Sequence, residues 1–287
     1  MVCSIVNIAF AFLDIATYYS STGFLLEIIR NGPYAMHVDE SIHGLKRIAG
    51  SFTEVSTFAF VTLSFLALSI GLQGTRLYPK MINVSIIVQV VLLALSTSST
   101  AYVGLFALFG MIANRLMVRI FRNGFDDYSF RSILASFFVI IVIAMVVLTN
   151  ANLSASIIDI LTTTVFEKGS SESGLERGSW NTQGMLNLID TYGVGVGIGG
   201  ARASSFVVAI LSNLGLVGST LFLLFCISAF FAGNTSLSPN DKKIVLATRL
   251  AAAMIFIAAS ISGTMVDLGI SFYVFAGISA SLKDINA

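Results

Sequence analysis

Polar and apolar positions along this chain are sorted into blocks rather than alternating. Six stretches carry no Asp, Glu, Lys or Arg: residues 55–75, 81–114, 132–158, 203–240, 250–266 and 268–282. A helix rises ~1.5 Å per residue, so roughly 20 apolar residues cross a hydrocarbon core ~30 Å thick. A core helix of a water-soluble protein would keep polar residues on its outer face. These blocks have no charged residue on any face, which predicts membrane helices.

The pattern predicts eight crossings, near residues 5–27, 54–72, 81–97, 99–115, 132–149, 205–232, 246–263 and 267–282. The charge-free block at 81–114 decides the parity. As one helix it would be about 51 Å long, too long for a single span. The hydroxyl-rich cluster Ser96-Thr97-Ser98-Ser99-Thr100 divides it into two helices. The expected fold class is all-α: a polytopic membrane helix bundle forming a single integral membrane domain over 1–287. The first apolar stretch lacks a basic start and reads as a membrane helix, not a cleaved signal segment.

Basic residues orient the chain. With eight crossings one side receives Arg76, Lys80, Arg115, Arg119, Arg122, Arg131, Lys242, Lys243, Arg249 and Lys283, ten of the 16 Lys and Arg. That side is expected to be cytoplasmic, with loops near 73–80, 116–131 and 233–245 and with both termini. The outer side then holds the loops 28–52 and 150–203 and short turns near 98 and 264–267. The expected location is the cytoplasmic (inner) membrane, multi-pass.

Composition agrees: 56% of residues are hydrophobic, mean hydropathy is +0.89, and only 11% are charged, against about 25% in an ordinary soluble domain. A net charge of +1 gives no bulk attraction to nucleic acid. Cys3 and Cys226 lie in or beside apolar blocks and read as packed thiols, not as a disulfide or metal framework.

Candidate chemistry gathers on the outer side. Gly193-Val194-Gly195-Val196-Gly197-Ile198-Gly199-Gly200-Ala201-Arg202-Ala203-Ser204-Ser205 has the glycine count of a dinucleotide fingerprint, but no βαβ unit surrounds it. Its physical content is close backbone approach to a ligand, Ser204 or Ser205 as a cap, and an anion-favouring helix start beside Arg202. Upstream, Arg177-Gly178-Ser179-Trp180 holds the chain's single tryptophan. It reads either as an interfacial anchor or as a sugar-stacking residue beside a phosphate-binding arginine. Arg47-Ile48-Ala49-Gly50-Ser51-Phe52-Thr53-Glu54 leads into the second span. Lys168 reads as a solvated loop residue. His37, Asp39, Glu40 and His43 do not have a recognised metal-ligand spacing. Asp14 stands alone in an apolar run, where an acid is a functional candidate by default.

Three of these patches, in order, resemble the O-antigen polymerase and O-antigen ligase superfamily of bacterial envelope polysaccharide assembly. They are Arg47-x-x-Gly50-x-Phe52-x-Glu54, the Leu95–Ala101 hinge, and the segment from Arg177-x-x-Trp180 through the glycine run to Arg202-Ala203-Ser204-Ser205. Leu214-Gly215-Leu216-Val217-Gly218 closes the match, which spans about 45–235. The resemblance implies a membrane glycosyltransferase that joins undecaprenyl-diphosphate-linked glycans at the outer leaflet without a nucleotide sugar. Ligases of the family carry a His where this chain has Ser204, so a polymerase of O-antigen, capsule or exopolysaccharide repeat units is the expected activity. A ligase-type transferase and a lipid-linked glycan transporter or flippase are the alternatives. The hinge has Thr100 where the family often has Arg. Family members usually have ten or more helices, so N-terminal helices are expected to be lacking here.

Together these readings assign catalysis to Arg177, Arg202 and Glu54, and substrate binding to Arg47, Trp180, Gly195, Gly197, Gly199 and Ser204. Asp190 and His43 are alternatives to Glu54 as base. No metal or cofactor is called for. Expected partners are the lipid-linked glycans and the bilayer, with a flippase and a chain-length regulator, and no nucleic acid.

Overall fold

A computed structural model describes residues 1–30, 41–42, 45–75, 78–123, 172–231 and 237–281. The described chain is helical: α1 Val2–Tyr19, α2 Phe24–Glu27, α3 Val55–Gly71, α4 Pro79–Leu95, α5 Ser99–Asn123, α6 Glu172–Asp190, α7 Phe206–Phe230, α8 Pro239–Ser262 and α9 Ile270–Ser281. A two-residue hairpin, β1 Ser41–Ile42 with β2 Leu45–Lys46, precedes α3. Among the described residues, four helices are long and apolar enough to cross a membrane: Val2–Tyr19, Ser99–Phe121, Phe206–Phe230 and Pro239–Ser262. α3, α4 and α9 are apolar but shorter. The expected span at 132–149 lies outside the described residues, as do His37, Asp39, Glu40, His43, Arg76, Arg131, Lys168 and Lys283.

Several expected boundaries move, for local reasons. The first helix ends at Tyr19 rather than 27. Ser20 Oγ donates to the Ala16 carbonyl at 2.8 Å and meets Thr22 Oγ1 at 2.7 Å, while Ser21 takes a φ of 56°. These hydroxyls offer the backbone an alternative to the helix ladder. α8 begins at 239 rather than 246 because Pro239 occupies its first turn and Ser238 Oγ accepts the Asp241 N–H at 3.2 Å. The large loop expected over 150–203 contains α6, a 19-residue helix.

The hinge at 96–98 is present. α4 and α5 both pack on α3, and Tyr102 of α5 reaches back to donate to the Ala94 carbonyl at 3.0 Å. Ser96, Thr97, Ser98 and Thr100 are buried there; Ser96 Oγ is satisfied by the Leu93 carbonyl at 2.7 Å and Thr97 Oγ1 by that of Ser96 at 2.8 Å.

α3 and α8 form the closest helix pair, and small residues make it so. Gly71 lies against Ala247 with no room for a Cβ, and Ala59, Ala67, Ala251 and Ala258 are buried along the two helices. Without a hydrophobic drive between helices in lipid, such close packing is a main source of association. Polar pairs tie α1 to α3 and α4: Asn7 Nδ2 donates to Thr62 Oγ1 at 2.8 Å, and Ser4 and Ser85 hydroxyls meet at 3.0 Å.

The α3–α8 pair runs antiparallel. Gly71 and Ala247 meet at one end, whereas Ser56 and Phe60 lie beside Ala259 and Ser262 at the other. α7 starts at the second end, since the Phe206 ring is 5.6 Å from that of Phe256. The Arg47–Glu54 turn, the hinge, the Arg202–Ser205 segment and the α8–α9 connection therefore share one end of the bundle. Lys80, Lys242, Lys243 and the basic end of α5 (Arg115, Arg119) lie toward the opposite end, where Lys243 Nζ donates to the Gly74 carbonyl.

Candidate functional site

α6 supplies one wall of the site. Arg177, Trp180, Asn181 and Gly184 recur at i, i+3, i+4 and i+7 and so share one stripe of the helix. Gly184 lies against Val208 and Ser212 of α7, which turns that stripe toward α7. Asn181 Oδ1 accepts the Ser204 N–H at 2.7 Å. The Arg202 guanidinium carbon sits over the Trp180 ring, 4.0 Å from its centroid. Arg202 is exposed; Trp180 and Arg177 are half-buried. A guanidinium over an aromatic face gains cation–π attraction and keeps the N–H donors around its edge. Trp180 thus orients Arg202 without consuming its fork. Two separated sequence patches, about twenty residues apart, are brought into direct contact.

The glycine run is placed elsewhere and does something else. Gly193, Gly195, Gly197 and Gly199 take φ values of 81°, 84°, 90° and 83°, which explains glycine at every second position. The run docks into a break in α7, where Gly215 adopts φ 66° and ψ −169°. The Val196 and Gly197 N–H groups donate to the Ser212 and Asn213 carbonyls, both at 2.9 Å, and Leu216 N–H returns to the Gly193 carbonyl at 2.8 Å. Gly195 N–H is taken by Thr191 Oγ1 at 3.0 Å. Asn213 completes the clamp: its Nδ2 donates to the Ala201 carbonyl at 2.9 Å and its Oδ1 accepts the Ala201 N–H at 3.1 Å. A Cβ at Gly215 would collide with the Gly193 and Val194 carbonyls.

This corrects the anion-cradle reading of Gly195 and Gly197. The Gly195 N–H is held by Thr191 Oγ1 and the Gly197 N–H by the Asn213 carbonyl, so neither is left for an anion, although the run returns to Ala201, the neighbour of Arg202. Gly199 is on the exposed return of the run, with open space where a Cβ would project. Ser204 is also displaced as a surface ligand, because it is buried and its N–H is held by Asn181. Ser205, not Ser204, is the residue preceding α7, and neither side chain caps the helix. Sequence reading missed Asn181 and Asn213, since a lone Asn carries no pattern until its partner is known.

Arg47 and Glu54 flank the turn into α3. That turn is anchored by Asp14, whose Oδ2 accepts the Ala49 and Gly50 N–H groups at 2.8 and 2.9 Å. Asp14 Oδ1 pairs with Arg30 at 2.7 Å and lies 3.7 Å from Lys46 Nζ; all three side chains are buried. Arg30 Nε also donates to the Gly50 carbonyl at 3.0 Å. The lone membrane acid is therefore the staple between α1 and the Arg47 turn. Arg47 is half-buried between buried neighbours Lys46 and Ile48. Glu54 is the exposed residue preceding α3; its carboxylate accepts from Ser56 Oγ at 3.0 Å and makes no cap bond. Asp190 is exposed at the far end of α6, about 15 Å along that helix from Trp180.

No family model, curated protein or solved structure matches the chain.

Proposed function

We propose that the chain is a membrane glycan polymerase that joins undecaprenyl-diphosphate-linked repeat units at the outer face of the cytoplasmic membrane. The observation that carries this reading is the exposed Arg202 guanidinium held over Trp180, with Arg177 one turn away on the same stripe of α6. Such a pair suits a diphosphate because arginine binds two phosphate oxygens at once and the ring holds its plane. Arg47 and Glu54 stand at the same end of the bundle. Crossing the membrane eight times, with both termini in the cytoplasm, would put that end outside and the basic end inside.

The chemistry follows from the placement. The oxygen of an acceptor sugar hydroxyl attacks the anomeric carbon of the donor. The bond from that carbon to the diphosphate oxygen breaks, and its electron pair leaves on the diphosphate. Arg177, Arg202 and Arg47 neutralise the charge that grows there. Glu54 takes the hydroxyl proton as general base. It is favoured over Asp190, which the length of α6 carries away from Trp180.

A second reading, a lipid-linked glycan transporter, gains support from the broken helix α7, since discontinuous helices mark transporter sites. The break is filled by the glycine run, which takes the freed Ser212 and Asn213 carbonyls that an ion would need. Transfer is therefore the better reading. Purified chain reconstituted in liposomes with an undecaprenyl-diphosphate oligosaccharide separates the two. New glycosidic bonds support transfer, movement of donor across the bilayer without bond formation supports transport, and neither outcome removes both.

A further inference from the structure

A second recess lies at the same end of the bundle, outside the arginine site. Its volume is about 200 Å³, and it opens between the first turn of α3, the end of α8 and the α8–α9 connection. Ser56, Thr57, Phe60, Ser262, Thr264 and Asp267 line it. Its halves are some two hundred residues apart along the chain and neither carries a motif.

The lining selects a chemical class. The Thr57 and Thr264 hydroxyls can donate and accept, the Ser56 and Ser262 hydroxyls, which donate to Glu54 and to the Ala258 carbonyl, accept, and one carboxylate accepts. Asp267 Oδ1 accepts the Gly269 N–H at 2.9 Å, which fixes the carboxylate while the residue remains exposed. No cation is among the described residues that line the cleft, so a phosphate is poorly served. Phe60 offers an apolar surface. A neutral polyol ring, with hydroxyls around its edge and C–H groups on its face, complements such a lining.

Position adds to the argument. Ser56 lines the cleft and also donates to Glu54. Phe206, four residues past Arg202, contacts Phe256, one turn before Ala259 of the cleft wall. We propose that this cleft is a saccharide subsite that holds the non-reducing end of the acceptor glycan, with Asp267, Thr57 and Ser262 on its hydroxyls. The identity of the ligand as an acceptor rests on the glycosyl-transfer reading; its identity as a saccharide rests on the cleft alone.

The test uses the full chain in lipid nanodiscs. Saturation-transfer NMR is run with methyl glycosides of neutral hexoses, N-acetylhexosamines and 6-deoxyhexoses. Undecaprenyl diphosphate is titrated separately against the fluorescence of Trp180. At least one glycoside is expected to bind the wild type, and its affinity should fall about threefold or more in Asp267→Asn and in Thr57→Val, since each removes a hydrogen bond. Both changes are nearly isosteric at exposed positions, and the diphosphate titration should be unaltered in both. Absence of glycoside binding to the wild type, or binding by both variants as tight as by the wild type, would overturn the subsite. A glycoside effect without a diphosphate response would support the saccharide cleft and count against the transfer reading alone.

Discussion

At the scale of single residues, the contact between Arg202 and Trp180 turns one loop position and one position on α6 into a candidate anion site. Arginine and lysine carry the same charge, but only arginine has a planar fork that both lies over a ring and grips two oxygens. Arg202→Lys and Arg177→Lys are therefore expected to lower polymer yield in the liposome assay roughly 10- to 150-fold, the worth of a charge-assisted contact. Surface charges without a ligand would tolerate lysine with little loss. Asp14 makes a different prediction. Its removal takes the paired carboxylate away from the buried Arg30 guanidinium, so Asp14→Ala should cost about 3–5 kcal/mol, read as a lowered midpoint in thermal unfolding in detergent. Residue identities were legible in the sequence, and the special status of Asp14 was too. Its role was not, because its partners lie 16 to 36 positions away.

At the scale of elements, the apolar blocks located α3, α4 and α7 well because a membrane-spanning helix demands uninterrupted hydrophobicity, whereas α5 starts where expected but runs past 115 to Asn123. The hinge at 96–98 was legible for the complementary reason: a hydroxyl cluster breaks the block, and those hydroxyls end up capping local carbonyls. Hydropathy failed where polar side chains act on the backbone, at the Ser20–Thr22 stop and the Ser238–Pro239 start. It failed most at Gly215, which looked like a small residue inside a span. That glycine is the break into which the 193–197 segment docks. Gly215→Ala should expel the segment, since it combines a positive φ with a clash against two carbonyls. Faster hydrogen exchange at Val196, Gly197 and Leu216 is the expected readout, and unchanged protection there would refute the docking.

At the scale of the whole molecule, the two ends of the bundle differ in chemistry. One gathers Arg47, Glu54, Trp180, Arg202 and Asp267, the other Lys80, Arg115, Arg119, Lys242 and Lys243. If the basic end is cytoplasmic, a cysteine at Ser179 should react with an impermeant reagent in intact cells. One at Asn240 should react only after permeabilisation. Cys3 and Cys226 would be replaced first, and reversed labelling would invert the proposed orientation. The proposed function requires that the arginine end bind a lipid diphosphate. Trp180 is the only tryptophan of the chain and touches Arg202, so its fluorescence, after subtraction of the signal of empty nanodiscs, reports on that site. Titration of the nanodisc-embedded chain with undecaprenyl diphosphate should give a saturable change, with an affinity roughly 10- to 150-fold weaker in Arg202→Ala. A spectrum indifferent to the diphosphate, or an affinity that Arg202→Ala leaves unchanged, would contradict the site and the function built on it.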